Sequence, residues 1–142
     1  MPKDDDRLIY LISRAQRYLG AYLKMEFQSE KLKITPVQTG ILFLLQKRAY
    51  TMTELSQTLS IDNSAVTGLV DRLEKSGLAA RSVNPDDRRT FLINITDYGL
   101  GEIGRAYKIV RRVNEEIKAG FTEKEVAVFK NILNRFFEKF VK

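Results

Sequence analysis

The sequence contains neither cysteine nor histidine among its 142 residues. The absence of cysteine excludes disulfide bonds, thiolate metal sites, cysteine nucleophiles and thiol-based redox sensing. The absence of histidine removes the most common general base and the most common metal ligand in proteins. We therefore expect a protein that is not an enzyme and that binds no metal and no cofactor.

Long apolar runs are absent as well. No segment approaches the ~20 consecutive apolar residues that span a bilayer, and Met1 to Asp6 carry aspartates where a signal peptide needs its apolar region. Hydrophobic residues still make up 44% of the chain, which is enough to bury the core of one domain. The sequence therefore predicts a soluble cytoplasmic protein that has no membrane partner.

The net charge of +6 favours a polyanionic partner. This positive charge is unevenly distributed: residues 1–50 and 105–142 are net basic, whereas residues 51–104 are net acidic. Bulk charge alone therefore does not locate a nucleic-acid site.

Three capping boxes predict the starts of helices. They read TPVQ from Thr35, TMTE from Thr51 and TEKE from Thr122. In each, the threonine hydroxyl can accept the amide of the fourth residue, whose side chain reaches back to the threonine amide. Helices are therefore expected from near residues 36, 52 and 123, and an amphipathic segment from Leu8 to Leu23 predicts another helix before them.

A further helix follows a break at residues 61–64. Asp62 or Asn63 can cap its start, and Gly77 can occupy the position just after its end. Apolar residues at helical spacing predict its buried face, which consists of Val66, Leu69, Val70 and Leu73.

Two β-like runs come next, Leu78 to Val83 and Thr90 to Ile95, joined by a polar tip. Thr96 can cap a fifth helix that runs toward Ala119, and a phenylalanine-rich stripe marks a sixth. The predicted fold class is therefore mostly α, with six helices and one small β-hairpin.

Gly99, Gly101 and Gly104 spell G-x-G-x-x-G directly after the second predicted strand, as in dinucleotide-binding enzymes. That fingerprint requires a βαβ unit, with a parallel strand after the helix. Here the remaining residues after Gly104 predict two helices and no strand. We therefore expect no nucleotide site, and we attribute the glycines to a helix start that approaches another backbone closely or must flex.

The run from Thr51 to Ile95 predicts a helix, a short turn, a second helix and a hairpin, which is the layout of a winged helix-turn-helix. In this layout the second helix enters the DNA major groove and reads base edges with its outward, N-terminal side. Small and hydrogen-bonding side chains dominate the outward face predicted here, which consists of Asn63, Ser64, Ala65, Thr67, Gly68, Asp71 and Arg72. Arg72 lies late on that face, where contact with a phosphate is expected.

The hairpin tip carries Arg88 and Arg89, which we expect to reach the flanking minor groove, where the negative potential is enhanced. Asp86 and Asp87 can pair with an arginine and hold its direction. A charged tip alone is more often only a solvated turn, but its place one strand after a helix-turn-helix favours a DNA contact.

Thr51 to Gly99 resembles the DNA-binding lobe of the MarR family of bacterial transcriptional regulators. The resemblance rests on ELSQTLSI, VTGLVDRLEKSGL, the wing NPDDRR and the following ITDYG. The order of the outer helices fits as well, so the resemblance covers nearly the whole chain.

The resemblance implies a homodimer that presents two recognition helices to a pseudo-palindromic operator, more often as a repressor. It implies an N-terminal dimerisation helix in residues 1–34, a winged helix-turn-helix lobe in residues 35–98 and C-terminal dimerisation helices in residues 99–142. Ser64, Ala65 and Thr67 would lie nearest the bases, and Arg88 or Arg89 would act from the wing with Asp87 supporting it. The family often has an arginine beside Thr67, where this chain has Gly68.

Large apolar groups near the carboxyl end support the dimer independently, because leaving them all exposed is unfavourable. The resemblance further allows a small aromatic or anionic effector that releases DNA, and the residues identify neither this effector nor its site. The alternative function is a winged-helix module that binds proteins and not DNA.

Overall fold

The computed structural model describes residues 7–140, which form two compact units that divide between Ile109 and Val110. In chain order the elements are α1 (Leu8–Ser29), α2 (Pro36–Lys47), β1 (Tyr50–Thr51), α3 (Met52–Leu59), α4 (Asn63–Lys75), β2 (Ala79–Val83), β3 (Phe91–Ile95), α5 (Asp97–Lys118) and α6 (Glu123–Phe140). The six predicted helices and the hairpin between the fourth and fifth are confirmed. Across residues 7–140, none of the helices has both the length and the apolar content needed to cross a membrane.

The sheet of the first unit has three strands in the order β1–β3–β2, all antiparallel. Sequence analysis predicted only the β2–β3 hairpin and missed β1, in which Tyr50 pairs with Ile93 and Thr51 with Leu92. A two-residue strand is too short to show an alternating pattern, and Thr51 also belongs to the capping box of α3. The extra strand joins the start of α3 directly to the wing.

The core of the first unit lies between the sheet and its helices. The predicted stripe of α4 is confirmed, with Val66, Val70 and Leu73 fully buried and Leu69 partly so. The largest fully buried side chains are Phe27, Ile41, Leu42, Leu55, Leu73, Leu78, Ile93 and Ile103. This shared core fixes α4 against the hairpin.

The predicted capping boxes are confirmed. At the start of α2, the Gln38 amide donates to the Thr35 hydroxyl at 3.2 Å and the Thr35 amide donates to the Gln38 side chain at 3.0 Å. The same reciprocal pair occurs at Thr51 and at Thr122. These caps satisfy amides that have no partner within the helix.

Gly99 lies where the start of α5 meets the chain segment that follows α4. A Cβ at this position would lie 2.2 Å from the Leu78 carbonyl oxygen, whereas Gly101 and Gly104 have nothing within 4 Å of theirs. Thr96 secures the approach, because its amide donates to Leu78 O and its hydroxyl to Gly77 O. The first glycine of the G-x-G-x-x-G run therefore serves a close backbone approach, and α5 is followed by α6 and not by a strand.

Two helices present apolar side chains that remain exposed. On α1, in the first unit, Ile9 is 72% exposed and Tyr18 is 68% exposed. In the second unit, no residue of α6 is buried, and Phe140 is 71% exposed. Exposed apolar surface of this extent marks an interaction site more often than a free surface.

Candidate nucleic-acid interface

The start of α4 is fixed by Asp62, one of the two capping residues that the sequence allowed. The Asp62 carboxylate accepts the Ala65 amide at 2.7 Å and the Ser64 hydroxyl at 2.8 Å. These bonds, the Ala65 amide first, hold the pKa of Asp62 below its ordinary value. The first turn of α4 is therefore well ordered although its side chains are exposed.

The residues predicted to face DNA lie together along α4. Asn63, Ser64, Ala65 and Thr67 are exposed, and the Thr67 hydroxyl donates to the Asn63 carbonyl at 2.8 Å. A hydroxyl that donates back to the helix keeps its lone pairs available to an outside donor. The first two turns thus offer small groups and hydrogen-bond acceptors to a close partner.

Gly68 is half-buried, unlike its neighbours on this face. A Cβ at Gly68 would lie 3.6 Å from Nη2 of Arg72, so the guanidinium of Arg72 extends back beside the glycine. Because residues four apart share a helix face, this places a cation beside position 68 although that position has no arginine.

The wing tip is ordered by short-range hydrogen bonds. The Asp86 amide donates to the Asn84 side chain at 3.0 Å, and the Thr90 hydroxyl accepts from the Asn84 side-chain amide at 3.0 Å. Such side-chain bonds replace the backbone pairing that a tip residue lacks. These bonds orient the wing tip, which carries the charged residues.

Asp87, and not Asp86, forms the pair with a wing arginine. Its Oδ1 accepts both the amide and the Nε of Arg89 at 3.1 Å, and its Oδ2 accepts Nη2 at 3.3 Å. The Arg89 side chain is nonetheless 90% exposed. The bonds from Arg89, first its side chain and then its amide, hold the pKa of Asp87 below its ordinary value. Arg88 is also exposed beside it.

Sequence analysis missed Arg81, which connects the wing to α4. Arg81 on β2 donates from Nε to Glu74 and from Nη2 to Asp71, each at 2.6 Å. The two carboxylates lie three residues apart and therefore share one face of α4. Their spacing was visible in the sequence, but the arginine opposite them is determined only by how β2 packs against the helix.

Much of the acidic charge of residues 51–104 is paired with arginines. Besides the Arg81 pairs, Arg48 forms a salt bridge with Glu54 at 2.9 Å. The Thr51 amide and, after it, Arg48 hold the pKa of Glu54 below its ordinary value. Since Asp71, Glu74 and Glu54 all have arginine partners, this face would repel a polyanionic partner less than the sequence count suggests.

An open groove runs between the start of α3 and the wing. It is lined by Thr51, Met52, Thr53, Arg81, Asn84, Asp87, Arg89, Thr90 and Phe91. Within residues 7–140, no three acidic side chains come together in a way that could hold a metal ion. The side chains that line the groove offer hydrogen-bonding groups and charges of both signs.

Comparisons with known proteins point to one family. The sequence model of the MarR family matches residues 34–91. The multiple antibiotic resistance protein MarR of Escherichia coli K12 is 30% identical over 132 residues, which cover 91% of this chain and 88% of that protein.

Solved structures agree over nearly the whole chain. A mutant of E. coli MarR complexed with operator DNA is 26% identical with a TM-score of 0.84, covering 92% of this chain and 94% of that one. The transcriptional repressor CouR bound to a 23-mer DNA duplex is 27% identical with a TM-score of 0.83, covering 91% of each chain.

Proposed function

The chain belongs to the MarR family, and from this premise we propose that it is a transcriptional repressor that binds a pseudo-palindromic DNA operator as a homodimer. One observation carries the proposal: a single lobe combines the exposed, small-residue start of α4 with an arginine that Asp87 holds at the wing tip. Two solved structures of similar fold contain DNA, which supports the same partner class. The proposed role is regulatory and includes no catalytic step.

In the proposed complex α4 is the recognition helix. The major groove is about 12 Å wide and admits one helix, provided that the inserted face carries small side chains. Ser64 and Thr67 provide hydroxyls for base edges, and the Ala65 methyl suits a thymine methyl. Asn63, at the amino end of the same face, contributes an amide.

Two arginines are proposed to hold the helix in place. Arg72 contacts a phosphate from the position beside Gly68, where its guanidinium already lies. Arg89 enters the minor groove, whose narrow A·T-rich stretches attract arginine most strongly. Because Asp87 already restricts the Arg89 side chain, less conformational entropy is lost on binding. Arg88 contacts the adjoining backbone.

The dimer is proposed to form through residues 1–34 and 99–142. Support comes from the exposed apolar side chains of α1 and from those of α6. Burying each large apolar side chain contributes about 1.5–3 kcal/mol, so a second copy is the natural cover for these helices. A dimer also presents two copies of α4 to half-sites separated by about one helical turn.

The experiment that tests the proposal is selection of bound duplexes from random DNA, followed by titration of the selected site at several salt concentrations. We expect an inverted repeat, and an affinity that falls steeply between about 50 and 200 mM salt because counterions are released from phosphates. A protein that selects no sequence and binds no duplex at low salt would instead support the protein-binding alternative.

Substitutions in the wing test whether its two arginines contribute to binding of the selected site. Arg89→Ala and Arg88→Ala are expected to weaken binding of the selected site by about 1–3 kcal/mol each, without lowering thermal stability. Lys47→Ala, which removes one exposed positive charge from the last turn of α2, is the control and should bind like the parent. If both wing variants also bind like the parent, the wing assignment is wrong.

A further inference from the structure

Glu102 is the one charged residue that is buried in the described part of the chain, residues 7–140. Its side chain is 7% exposed and lies on α5. A carboxylate removed from water is costly unless hydrogen bonds replace its hydration. Both oxygens of Glu102 have such partners: Oε2 accepts the Lys33 amide at 2.8 Å, and Oε1 accepts Nη1 of Arg105 at 3.1 Å.

Arg105 extends the contact to the end of α1. Its Nη2 donates to the carbonyl oxygen of Glu30, the residue that caps α1. The Lys33 amide lies two residues before Thr35, which caps α2. We call this set, Glu102 and Arg105 with the backbone of Glu30 and Lys33, the junction clamp. It fastens both sides of the α1–α2 connection to α5.

The position of the clamp matters because of what the connected helices carry. Helix α1 presents the exposed apolar side chains assigned above to the dimer, while α2 leads into the lobe that carries α4. Helix α1 has 22 residues and is therefore about 33 Å long. A rotation of roughly 10° over such a length moves its far end by more than the rise of one base pair, about 3.4 Å.

We propose that Glu102 and Arg105 are positioning residues that set the half-site spacing accepted by the dimer. This inference rests on the proposed function. A rigid junction keeps the two recognition helices at one separation, so a duplex with another spacing must twist or bend to fit. When the clamp is broken, the lobes reorient at smaller cost and accept several spacings.

The test uses palindromic duplexes built from the selected half-site, with half-site centres placed at successive one-base-pair increments around one helical turn. For the parent, affinity is expected to fall about tenfold or more when the spacing departs by one or two base pairs from the best one. We call the affinity at the best spacing divided by the affinity one or two base pairs away the spacing ratio. For Glu102→Gln and for Arg105→Met, the spacing ratio is expected to shrink to about threefold or less, because the protein junction then deforms instead of the DNA.

Two variants keep the test informative if one of them folds poorly. Glu102→Gln keeps an acceptor for the Lys33 amide and removes the charge that Arg105 contacts, whereas Arg105→Met changes a partly exposed side chain. Lys47→Met is the matched control, since it removes one positive charge from α2, outside the clamp and the proposed dimer segments, and should keep the parent's spacing ratio. Thermal unfolding and light scattering verify that each variant is folded and dimeric.

The outcomes separate the two proposals. If the parent binds the duplexes and both variants keep its spacing ratio, the clamp has no positioning role while the proposed function stands. An equal loss of affinity at every spacing also overturns the positioning role, because it indicates reduced stability or a lost DNA contact. If the parent binds none of the duplexes, the proposed function is wrong and the positioning role falls with it.

Discussion

Replacing each glycine of the G-x-G-x-x-G run by alanine gives a direct test of why the run exists. Alanine is normally the better helix former by up to about 1 kcal/mol, so all three changes would stabilise an unconstrained helix. At Gly101 and Gly104 the space for a Cβ is open, and we expect Gly101→Ala and Gly104→Ala to show that gain.

Gly99→Ala is expected to have the opposite effect. The new Cβ would lie 2.2 Å from Leu78 O and 2.7 Å from Cγ1 of Ile95, so the start of α5 must move away by about 1 Å or more. That movement disrupts the bond from the Thr96 amide to Leu78 O at 3.1 Å and the one from the Thr96 hydroxyl to Gly77 O at 2.6 Å.

The expected cost follows from these contacts. Each lost hydrogen bond costs about 0.5–1.5 kcal/mol, and overpacking costs about 1–3 kcal/mol. After the helix-propensity gain is subtracted, Gly99→Ala should lower the free energy of unfolding by about 1–5 kcal/mol. With a urea m-value of about 2 kcal/mol/M, the midpoint should fall by about 0.5–2.5 M.

The assay is urea unfolding followed by far-UV circular dichroism. All four proteins are compared at one concentration, because dimer stability depends on concentration. Equal m-values would show that the same surface is exposed on unfolding. If Gly99→Ala proves as stable as Gly101→Ala, the close approach to Leu78 does not constrain this position and the reasoning is refuted.

Thr67→Ala should alter the base preferred within the half-site, as measured by selection from random DNA, more than it alters overall affinity; a uniform loss across sequences would argue against base reading. Because the folded pKa of Asp62 is lowered, its cap stabilises the fold fully above the unfolded pKa. That stability should be lost as the pH falls through the folded pKa, below about pH 4. In urea titrations, Asp62→Asn should therefore lose less free energy of unfolding on acidification than the parent does. Phe137→Asp should convert the proposed dimer to a helical monomer in analytical ultracentrifugation, since Phe137 is exposed within one chain. An undiminished dimer would exclude α6 from the interface.

The sequence by itself determined the helices and their starts. Capping at Thr35, Thr51 and Thr122 depends on residues three apart, and the buried stripe of α4 depends on spacings of three and four. Interactions of this range are fully specified by the local chain. At the wing tip the sequence predicted an aspartate–arginine pair but left open which arginine, Arg88 or Arg89, would form it, and the structure decides for Asp87 and Arg89.

Tertiary structure alone decided the contacts between distant segments. Strand β1 exists because Tyr50 meets Ile93, and Arg81 reaches α4 only through the packing of β2 on that helix. The junction clamp joins Lys33 to Glu102, 69 positions apart. No local pattern identifies such partners. The sequence neighbours of a side chain or backbone group are the same whether or not the fold brings that group to a buried carboxylate.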